Sequence, residues 1–181
     1  MKLLPVELFC GDTLVEKDFC KRLEAGGVTV RRDAKLQLLL DRPAGWAMMN
    51  HAGLVYERCI ISSDNPCPAY RLELLDRNPA ALLPLQAKAL LQSLPLVRAG
   101  NRILPEVRSV LTRAERQTLT LLALGYHNSD IAARRGVGEA TVKNCLVEVY
   151  RKLGLTSRVQ AVHYFFGNWH LLEGWEPPEN T

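Results

Sequence analysis

Apolar positions recur with helical spacing through the last third of the chain. Between residues 139 and 153 they fall at i, i+4, i+7 and i+11, which predicts a helix whose single buried stripe is Val142, Leu146, Val149 and Leu153. Gly154 directly follows the stripe and is expected to end the helix. Shorter apolar groupings on either side of it predict three further helices, which makes four short helices in this part of the chain.

Polar residues mark the bounds of these helices. Thr112 and Glu115 have the spacing of a capping box, so the first helix begins at Thr112 and is expected to stop at Gly125. The other helices are predicted from the N-cap Asn128 to Arg134 or Arg135, from Glu139 to Leu153, and from near Ser157 onward.

Two consecutive helices joined by a short turn, the second one longer, are the layout of a helix-turn-helix. Four segments of this region carry further information: Leu-Thr-Arg-Ala-Glu-Arg (111–116), Leu-Gly-Tyr-His-Asn-Ser-Asp-Ile-Ala (124–132), Ala-Thr-Val-Lys-Asn (140–144) and Tyr-Arg-Lys-Leu-Gly-Leu-Thr-Ser-Arg (150–158). With these segments, about 58 residues closely resemble the LuxR-type helix-turn-helix family, with two departures at Gly138 and Cys145, where a capping Ser and a ring residue are usual.

The predicted recognition helix presents Lys143, Asn144 and Val147 away from its apolar stripe. Lys can donate to guanine, Asn can pair with adenine, and Val can contact a thymine methyl group in the major groove. The resemblance points to the same three positions, so we expect them to contact bases. Side chains at helix starts or near the far end of this helix are expected to contact phosphates: Asn128, Ser129, Thr141, Arg151 and Lys152.

One such domain offers little surface for tight binding, and members of the family usually act as dimers on paired half-sites. A homodimer is therefore expected. The fourth helix resembles the dimerising element of the family. Its candidate interface residues are Val159, Val162, His163 and Phe166, and the alternative is that each one covers the core of its own domain.

The first half of the chain alternates short apolar runs with one helical pattern, which predicts an α/β fold with a parallel sheet. A helix is expected from Leu14 to Glu24 and a final helix from Pro84 to Val97. The predicted strands are Val6 to Cys10, Val28 to Arg31, Lys35 to Asp41, Trp46 to Met49, Arg58 to Ser62 and Ala80 to Leu83.

This order resembles a receiver domain, and residues 99–105 resemble the segment that follows the receiver in response regulators of the NarL and FixJ type. A receiver needs two acids after its first strand, and only Asp12 is present there, which is a poor anchor for Mg²⁺. The third strand is predicted to end at Asn50, which cannot accept a phosphoryl group. An alternative alignment ends it at Asp41, while Pro84 stands about where the Lys is needed.

The fold expected is thus a truncated, receiver-like α/β domain followed by an all-α, four-helix LuxR-type domain. The boundaries are a degenerate receiver at 1–84, its terminal helix and linker at 85–108, the helix-turn-helix at 109–170 and a frayed tail at 171–181. The acidic residues Glu173, Glu176 and Glu179 lie in that tail.

Charge and cysteine usage agree with this interpretation. The net charge is only +4, but residues 112–169 hold eight Lys or Arg against four acids. The five cysteines are scattered, and no signal or membrane-spanning run is visible, which predicts free thiols in the cytoplasm and no contact with membranes.

The sequence favours a regulator that binds double-stranded DNA and whose pseudo-receiver is not phosphorylated. The alternative is an interaction protein that binds or heterodimerises with another regulator, and a contact with RNA polymerase is possible in either case. A sigma factor is disfavoured because nothing upstream resembles its core-binding region. No catalytic constellation, metal-ligand spacing or cofactor motif is visible, so we expect neither an enzyme nor a cofactor.

Overall fold

A four-stranded parallel sheet organises the first of two units in the chain. The computed structural model describes residues 5–178, of which 5–64 and 74–106 form unit 1 and 65–73 and 107–178 form unit 2. The strands lie in the sheet in chain order: β1 (Val6–Phe9), β2 (Leu36–Leu40), β3 (Cys59–Ser62) and β4 (Ala81–Leu83).

Three helices accompany these strands along the chain: α1 (Thr13–Ala25), α2 (Pro68–Leu75) and α3 (Ala87–Arg98). Buried side chains of α1 and α3, including Leu23, Leu90 and Leu94, pack with Leu38 and Ile60 of the sheet in one apolar cluster. The strands β2, β3 and β4 are mostly apolar and almost entirely buried, as expected for a parallel sheet, and the predicted α/β class is confirmed.

Two of the predicted strands are not strands. The segment Val28 to Arg31 makes only a single bridge, between Val30 and Val6. The run from Trp46 to Met49 forms one 3₁₀ turn (Trp46–Met48), which follows Gly45 at φ 90°, a left-handed conformation that interrupts an extended chain. Short apolar runs are ambiguous between extended and helical structure, which explains the error.

The prediction that Asn50 ends the third strand is therefore wrong. Asn50 lies in a loop after the 3₁₀ turn, whereas Asp41 directly follows β2, the strand that lies beside β1. The alternative alignment at Asp41 is the one that the fold supports. Its short preceding crossover is tolerated because the segment at Val30 contributes only one bridge to the sheet.

The helix α2 was not predicted. It begins at Pro68, and Pro is well suited to the first turn of a helix, so this residue was the available signal. The final helix of the unit begins at Ala87, three residues after the predicted start at Pro84, because Gln86 is its N-cap. Between β2 and β3 the chain makes only two 3₁₀ turns, so the receiver-like fold lacks a helix at this crossover.

Residues 107–178 of unit 2 contain four helices, as the pattern predicts, in addition to the part of α2 that belongs to this unit: α4 (Arg113–Ala123), α5 (Asn128–Arg135), α6 (Glu139–Leu153) and α7 (Arg158–Phe165). The stripe on α6 is buried together with Leu119 and Leu122 of α4 and Ile131 of α5. Segment 65–73 belongs to this unit, where Glu73 pairs with Arg116 at 2.8 Å and Tyr70 packs edge-on against Phe165.

Part of the segment expected to be a frayed tail packs against the rest of unit 2. A 3₁₀ turn (Trp169–Leu171) follows α7, Leu172 is buried, and the ring of Trp169 stacks on Tyr164 with centroids 5.7 Å apart. Trp175 Nε1 donates to the carbonyl of Leu153 at 2.6 Å. The burial of aromatic side chains holds this segment in place. The prediction of a frayed tail considered its acidic residues and not these rings. Glu179 lies outside the described residues.

Within residues 5–178, none of the helices combines the length and the apolar character that a bilayer span requires.

Candidate functional site

The helix α6 separates an apolar face from a polar one. Val142, Leu146, Val149 and Leu153 are buried, and Gly154 ends the helix in the left-handed conformation that the absence of a side chain permits. A capping box starts α4: Thr112 Oγ1 accepts from the amide of Glu115, whose carboxylate accepts from the amide of Thr112. The buried stripe, the terminal glycine and the capping box thus hold α4 and α6 in place, and the polar face of α6 stays exposed.

The three predicted base-contacting residues lie together on the exposed face of α6. The side chain of Lys143 is 63% exposed, Val147 is 60% exposed, and Asn144 is also exposed. Lys143 Nζ lies 3.4 Å from Glu139 Oε1, and both partners are largely in water. Such an exposed pair is worth little, so a stronger acceptor can replace Glu139.

The predicted phosphate-contacting residues are placed less uniformly. Ser129 and Thr141 are exposed near the starts of α5 and α6, and Arg151 is exposed beside Glu148 at 2.8 Å. Asn128 is the first residue of α5 and not its N-cap, which is His127. Its Oδ1 is buried, with no hydrogen-bond partner among residues 5–178.

Lys152 is held within the unit. Its Nζ lies 2.9 and 2.8 Å from the two carboxylate oxygens of Glu115, and both side chains are mostly buried. Burial raises the pKa of Glu115, but the bonds from Lys152 and Thr112 outweigh it, so the pKa lies below its ordinary value. The structure thus favours a bridge between α4 and α6 as the role of Lys152.

Arg158, which the site prediction did not include, braces the turn after α4. Its Nη2 donates to the carbonyl of Tyr126 at 2.6 Å and to that of Leu122 at 3.2 Å. The bond to Leu122 reaches the last turn of α4, and the bond to Tyr126 ties the start of α7 to the connection that precedes α5. A basic residue beside the N-cap Ser157 was the only sequence signal for this role.

The predicted interface residues lie along one side of α7. Val159 is 63% exposed, while Val162 and His163 are half-buried. Phe166 follows the helix, and its ring packs at 5.4 Å from Phe165 and 6.4 Å from Tyr70, measured between centroids. The opposite side, formed by Ala161, Tyr164 and Phe165, is buried in the core of unit 2.

Residues 109–165 match the family model described as bacterial regulatory proteins, luxR family. The match covers the four helices and the exposed face of α6. Unit 2 therefore contains a LuxR-family helix-turn-helix domain. The resemblance seen in the sequence is confirmed, and the LuxR-type domain supplies the candidate site of this chain.

Parts of this chain are similar to known regulatory proteins. A probable transcriptional regulatory protein, SgaR, from Hyphomicrobium methylovorum is 37% identical over 86 residues, which cover 42% of this chain and 41% of SgaR. The response regulator protein VraR of Staphylococcus aureus is 37% identical over 73 residues, which cover 39% of this chain and 35% of VraR. The chain spans well under half the length of these relatives.

Solved structures match both the sheet-containing unit and the LuxR-type domain in fold. A structure of two RcsB dimers bound to two parallel DNAs has a TM-score of 0.53 at 18% identity, covering 91% of this chain and 98% of that one. RcsB from Salmonella enterica serovar Typhimurium, bound to promoter P1flhDC with the phosphomimetic BeF₃⁻, has a TM-score of 0.51 at 19% identity, covering 90% and 98%. The fold is thus that of a response regulator.

The second candidate site is the carboxyl edge of the sheet in unit 1. Asp41 is buried, with Ser63 Oγ donating to its Oδ2 at 2.6 Å and the amide of Ala47 donating to its Oδ1 at 2.9 Å. Asp12 Oδ1 caps α1 by accepting from the amides of Leu14 and Val15. Both acids are therefore engaged as structural acceptors.

An aromatic ring lies against the same edge. A Cβ atom at Gly11 would meet the ring of Trp46 at 2.7 Å, so only glycine permits this approach of ring to backbone. Pro84 offers only its carbonyl, which accepts from Ser62 Oγ at 2.8 Å. Among residues 5–178, no cluster of three or more His, Cys, Asp or Glu side chains is arranged to hold a metal ion.

The five cysteines are free thiols. Burial raises the pKa of Cys59 and of Cys67 to about 12, so both stay protonated at neutral pH. Burial also raises the pKa of the half-buried Cys10 and Cys20. Raised values disfavour the thiolate, the form in which a cysteine reacts.

Proposed function

We propose that this protein is a transcription regulator that binds double-stranded DNA through α6. The observation that carries the proposal is the exposed trio of Lys143, Asn144 and Val147 on a helix whose other face is buried. A helix fits the major groove, where base edges present distinct donors, acceptors and methyl groups. The names of SgaR, a transcriptional regulatory protein, and of the RcsB–DNA structures support the same function.

Each of the three side chains has a distinct task in this proposal. Lys143 exchanges its contact with Glu139 for the O6 or N7 atom of a guanine, Asn144 pairs with an adenine edge, and Val147 packs against a thymine methyl group. Ser129, Thr141 and Arg151 contact phosphates and fix the register of α6 in the groove. Lys152 stabilises α6 through its ion pair with Glu115. Asn128 has a structural role as the first residue of α5.

Salt dependence separates the two kinds of contact. We expect purified protein to select a defined operator from random duplex DNA. Arg151→Ala should lower the slope of log affinity against log salt concentration by about one while keeping the selected sequence. The matched variant Lys143→Ala should change the sequence preference. Equal affinity of the unaltered protein for all duplexes would contradict the proposal.

We further propose that control of the LuxR-type domain does not use phosphorylation of the sheet edge. Ser63 and Ala47 occupy the oxygens of Asp41, Asp12 caps α1, and Trp46 lies against Gly11. Phosphoryl transfer to an aspartate needs an accessible carboxylate and a bound Mg²⁺, which keeps octahedral geometry and several waters. A single nearby carboxylate that already caps a helix is a poor anchor for that ion.

Acetyl phosphate with Mg²⁺ tests this second proposal. We expect no acid-labile adduct by intact mass, in the protein as it stands or in Asp41→Asn. A stoichiometric adduct that Asp41→Asn abolishes would contradict it. Because this readout does not involve DNA, it is independent of the proposed role of α6.

The third part of the proposal is a homodimer formed through the exposed side of α7. Val159 is the exposed residue of this side, and the half-buried Val162 and His163 lie beside it. The ring of Phe166 packs against the rings of Tyr70 and Phe165. Two copies related by a two-fold axis would present two recognition helices to paired half-sites. The RcsB structure is described as dimers on DNA, which supports this assembly.

A further inference from the structure

A basic cleft opens at the amino edge of the sheet in unit 1. It has a volume of about 260 Å³ and lies where β2, β3 and β4 begin and where α3 ends. Asp41 follows the carboxyl end of β2, so the cleft lies at the other edge from the site described above. No role proposed for the LuxR-type domain involves it.

The cleft collects positive charge from four different segments. Lys35 precedes β2, Arg58 precedes β3, Arg98 ends α3, and Arg102 follows that helix. The single acid in the lining is Glu57. A concave site lined by one sign of charge concentrates its electrostatic potential and attracts counter-ions.

The charges of these basic side chains are not paired with carboxylates in the part of the chain that the structure describes. Within residues 5–178, no carboxylate lies within ion-pair distance of Lys35, Arg58 or Arg98. Arg102 is held by a bond from its Nη2 to the carbonyl of Pro79 at 3.0 Å, which restricts its guanidinium near the start of β4. The site therefore presents positive charge with part of its geometry fixed in advance.

The rest of the lining is apolar. Leu36, Ala80 and Val97 contribute to the wall, and the last two are among the buried residues of the core. The carbonyl groups at the end of α3 are already bonded by the amides of Ala99, Gly100 and Asn101, which weakens their repulsion of an anion. An apolar wall with a few convergent polar groups is the usual character of a small-molecule site.

We propose that this cleft binds a small organic phosphate. The phosphate group is held by Arg58, Arg98 and Arg102, whose planar guanidinium groups suit its oxygens, and Lys35 adds a further charge. The organic part rests on Leu36, Ala80 and Val97. The volume limits the ligand to a small molecule. This inference does not depend on the proposed function, because no residue of the LuxR-type domain takes part.

Phenyl phosphate and inorganic phosphate are suitable probes. Each is titrated into the ¹⁵N-labelled full chain, and binding is followed in ¹H–¹⁵N NMR spectra. We expect phenyl phosphate to saturate below about 1 mM, to shift the amide signals of Arg58, Gly100 and Asn101, and to bind more tightly than inorganic phosphate because of the apolar wall. The double variant Arg58→Gln/Arg98→Gln should weaken this binding on the order of tenfold or more. The matched double variant Lys17→Gln/Lys21→Gln, at two exposed positions of α1, should leave the affinity for phenyl phosphate unchanged.

Three results would overturn the proposal. The first is the absence of saturation, or shifts spread over all basic surfaces. The second is equal weakening in the α1 variant, which would indicate nonspecific attraction. The third is displacement of phenyl phosphate from the cleft by random-sequence duplex DNA, which would make the cleft a surface for nucleic acid. None of these results bears on base recognition by Lys143.

Discussion

Glu115 joins two helices through one carboxylate. It accepts from the amide of Thr112 at 2.8 Å to complete the capping box of α4, and from Lys152 Nζ to hold the far end of α6. The capping role is readable from residues three apart, whereas the contact with Lys152 joins positions 37 residues apart. Spacing along a chain carries no information about such a distant pair.

We expect Glu115→Gln to destabilise the protein by about 1–2 kcal/mol at pH 7, because Gln keeps a capping side chain but loses the charge that Lys152 needs. The folded state lowers the pKa of Glu115, so the stabilisation is present above the unfolded pKa and is lost as pH falls through the folded one. Urea unfolding from pH 7 to pH 3 should therefore show the two proteins converging at low pH.

The matched variant is Glu148→Gln, which removes the exposed partner of Arg151. We expect its effect on the free energy of unfolding to stay within a few tenths of a kcal/mol, because exposed ion pairs are weak. An equal effect of both substitutions at pH 7 would contradict the role assigned to Glu115.

The segment after α7 adds aromatic packing to the four helices of the LuxR-type domain. Trp169 stacks on Tyr164, and the ring of Trp175 packs edge-on against both, with centroids 5.5 Å from Tyr164 and 5.3 Å from Trp169. Trp175 also bonds the carbonyl of Leu153, at the end of α6. This segment lies outside residues 109–165 and contacts the end of α6.

We expect Trp175→Ala to lower the free energy of unfolding by about 2 kcal/mol, since it removes a half-buried ring and the bond to Leu153. Trp175→Phe keeps most of the ring packing and loses only the indole donor, so its cost should be about 1 kcal/mol. Guanidinium unfolding measures both. A Trp175→Ala protein as stable as the unaltered one would show that the segment is dispensable.

Long periodic elements were the most predictable from the sequence. The bounds Glu139 to Leu153 for α6 agree with the structure because one stripe and two glycines define that helix. The error at Trp46 to Met49 came from a short apolar run, whose backbone is decided by Gly45 and by burial against the sheet. The helix α2 was not predicted because a Pro at its start is its only local signal and its amphipathic character is weak. Its packing decides its structure.

For the whole molecule, the proposed homodimer makes Val159 the most sensitive position. In a two-fold interface both copies contribute the same surface, so Val159→Asp places a carboxylate from each copy in an apolar contact. We expect the dimer dissociation constant, measured by sedimentation, to rise by at least about tenfold. The fold should be unaffected, because Val159 is 63% exposed.

Leu14→Asp is the control for that substitution. Leu14 is 79% exposed on α1 and belongs to unit 1, which does not contain α7. It should leave the dissociation constant unchanged. A dimer that tolerates Val159→Asp, or that is equally weakened by Leu14→Asp, would place the interface elsewhere.

The candidate site was predictable to different depths in the two units. Lys143, Asn144 and Val147 could be placed on one exposed face because a helix has a fixed period. At the sheet edge, the acceptor position depended on which apolar run was the third strand, and only strand pairing distinguishes Asp41 from Asn50. The partners Ser63 and Trp46 come from other segments, which a local pattern does not connect.

Base recognition by α6 is the central claim, and genome-wide mapping of bound sites in the host tests it most directly. The comparison is between the unaltered protein and Lys143→Ala expressed at equal levels, with the exposed α1 variant Lys17→Ala as control. We expect Lys143→Ala to lose or exchange most of its sites, because a good base contact contributes about 1–3 kcal/mol of discrimination, while Lys17→Ala keeps them. If Lys143→Ala occupies the same sites at the same level, α6 is not the reading element.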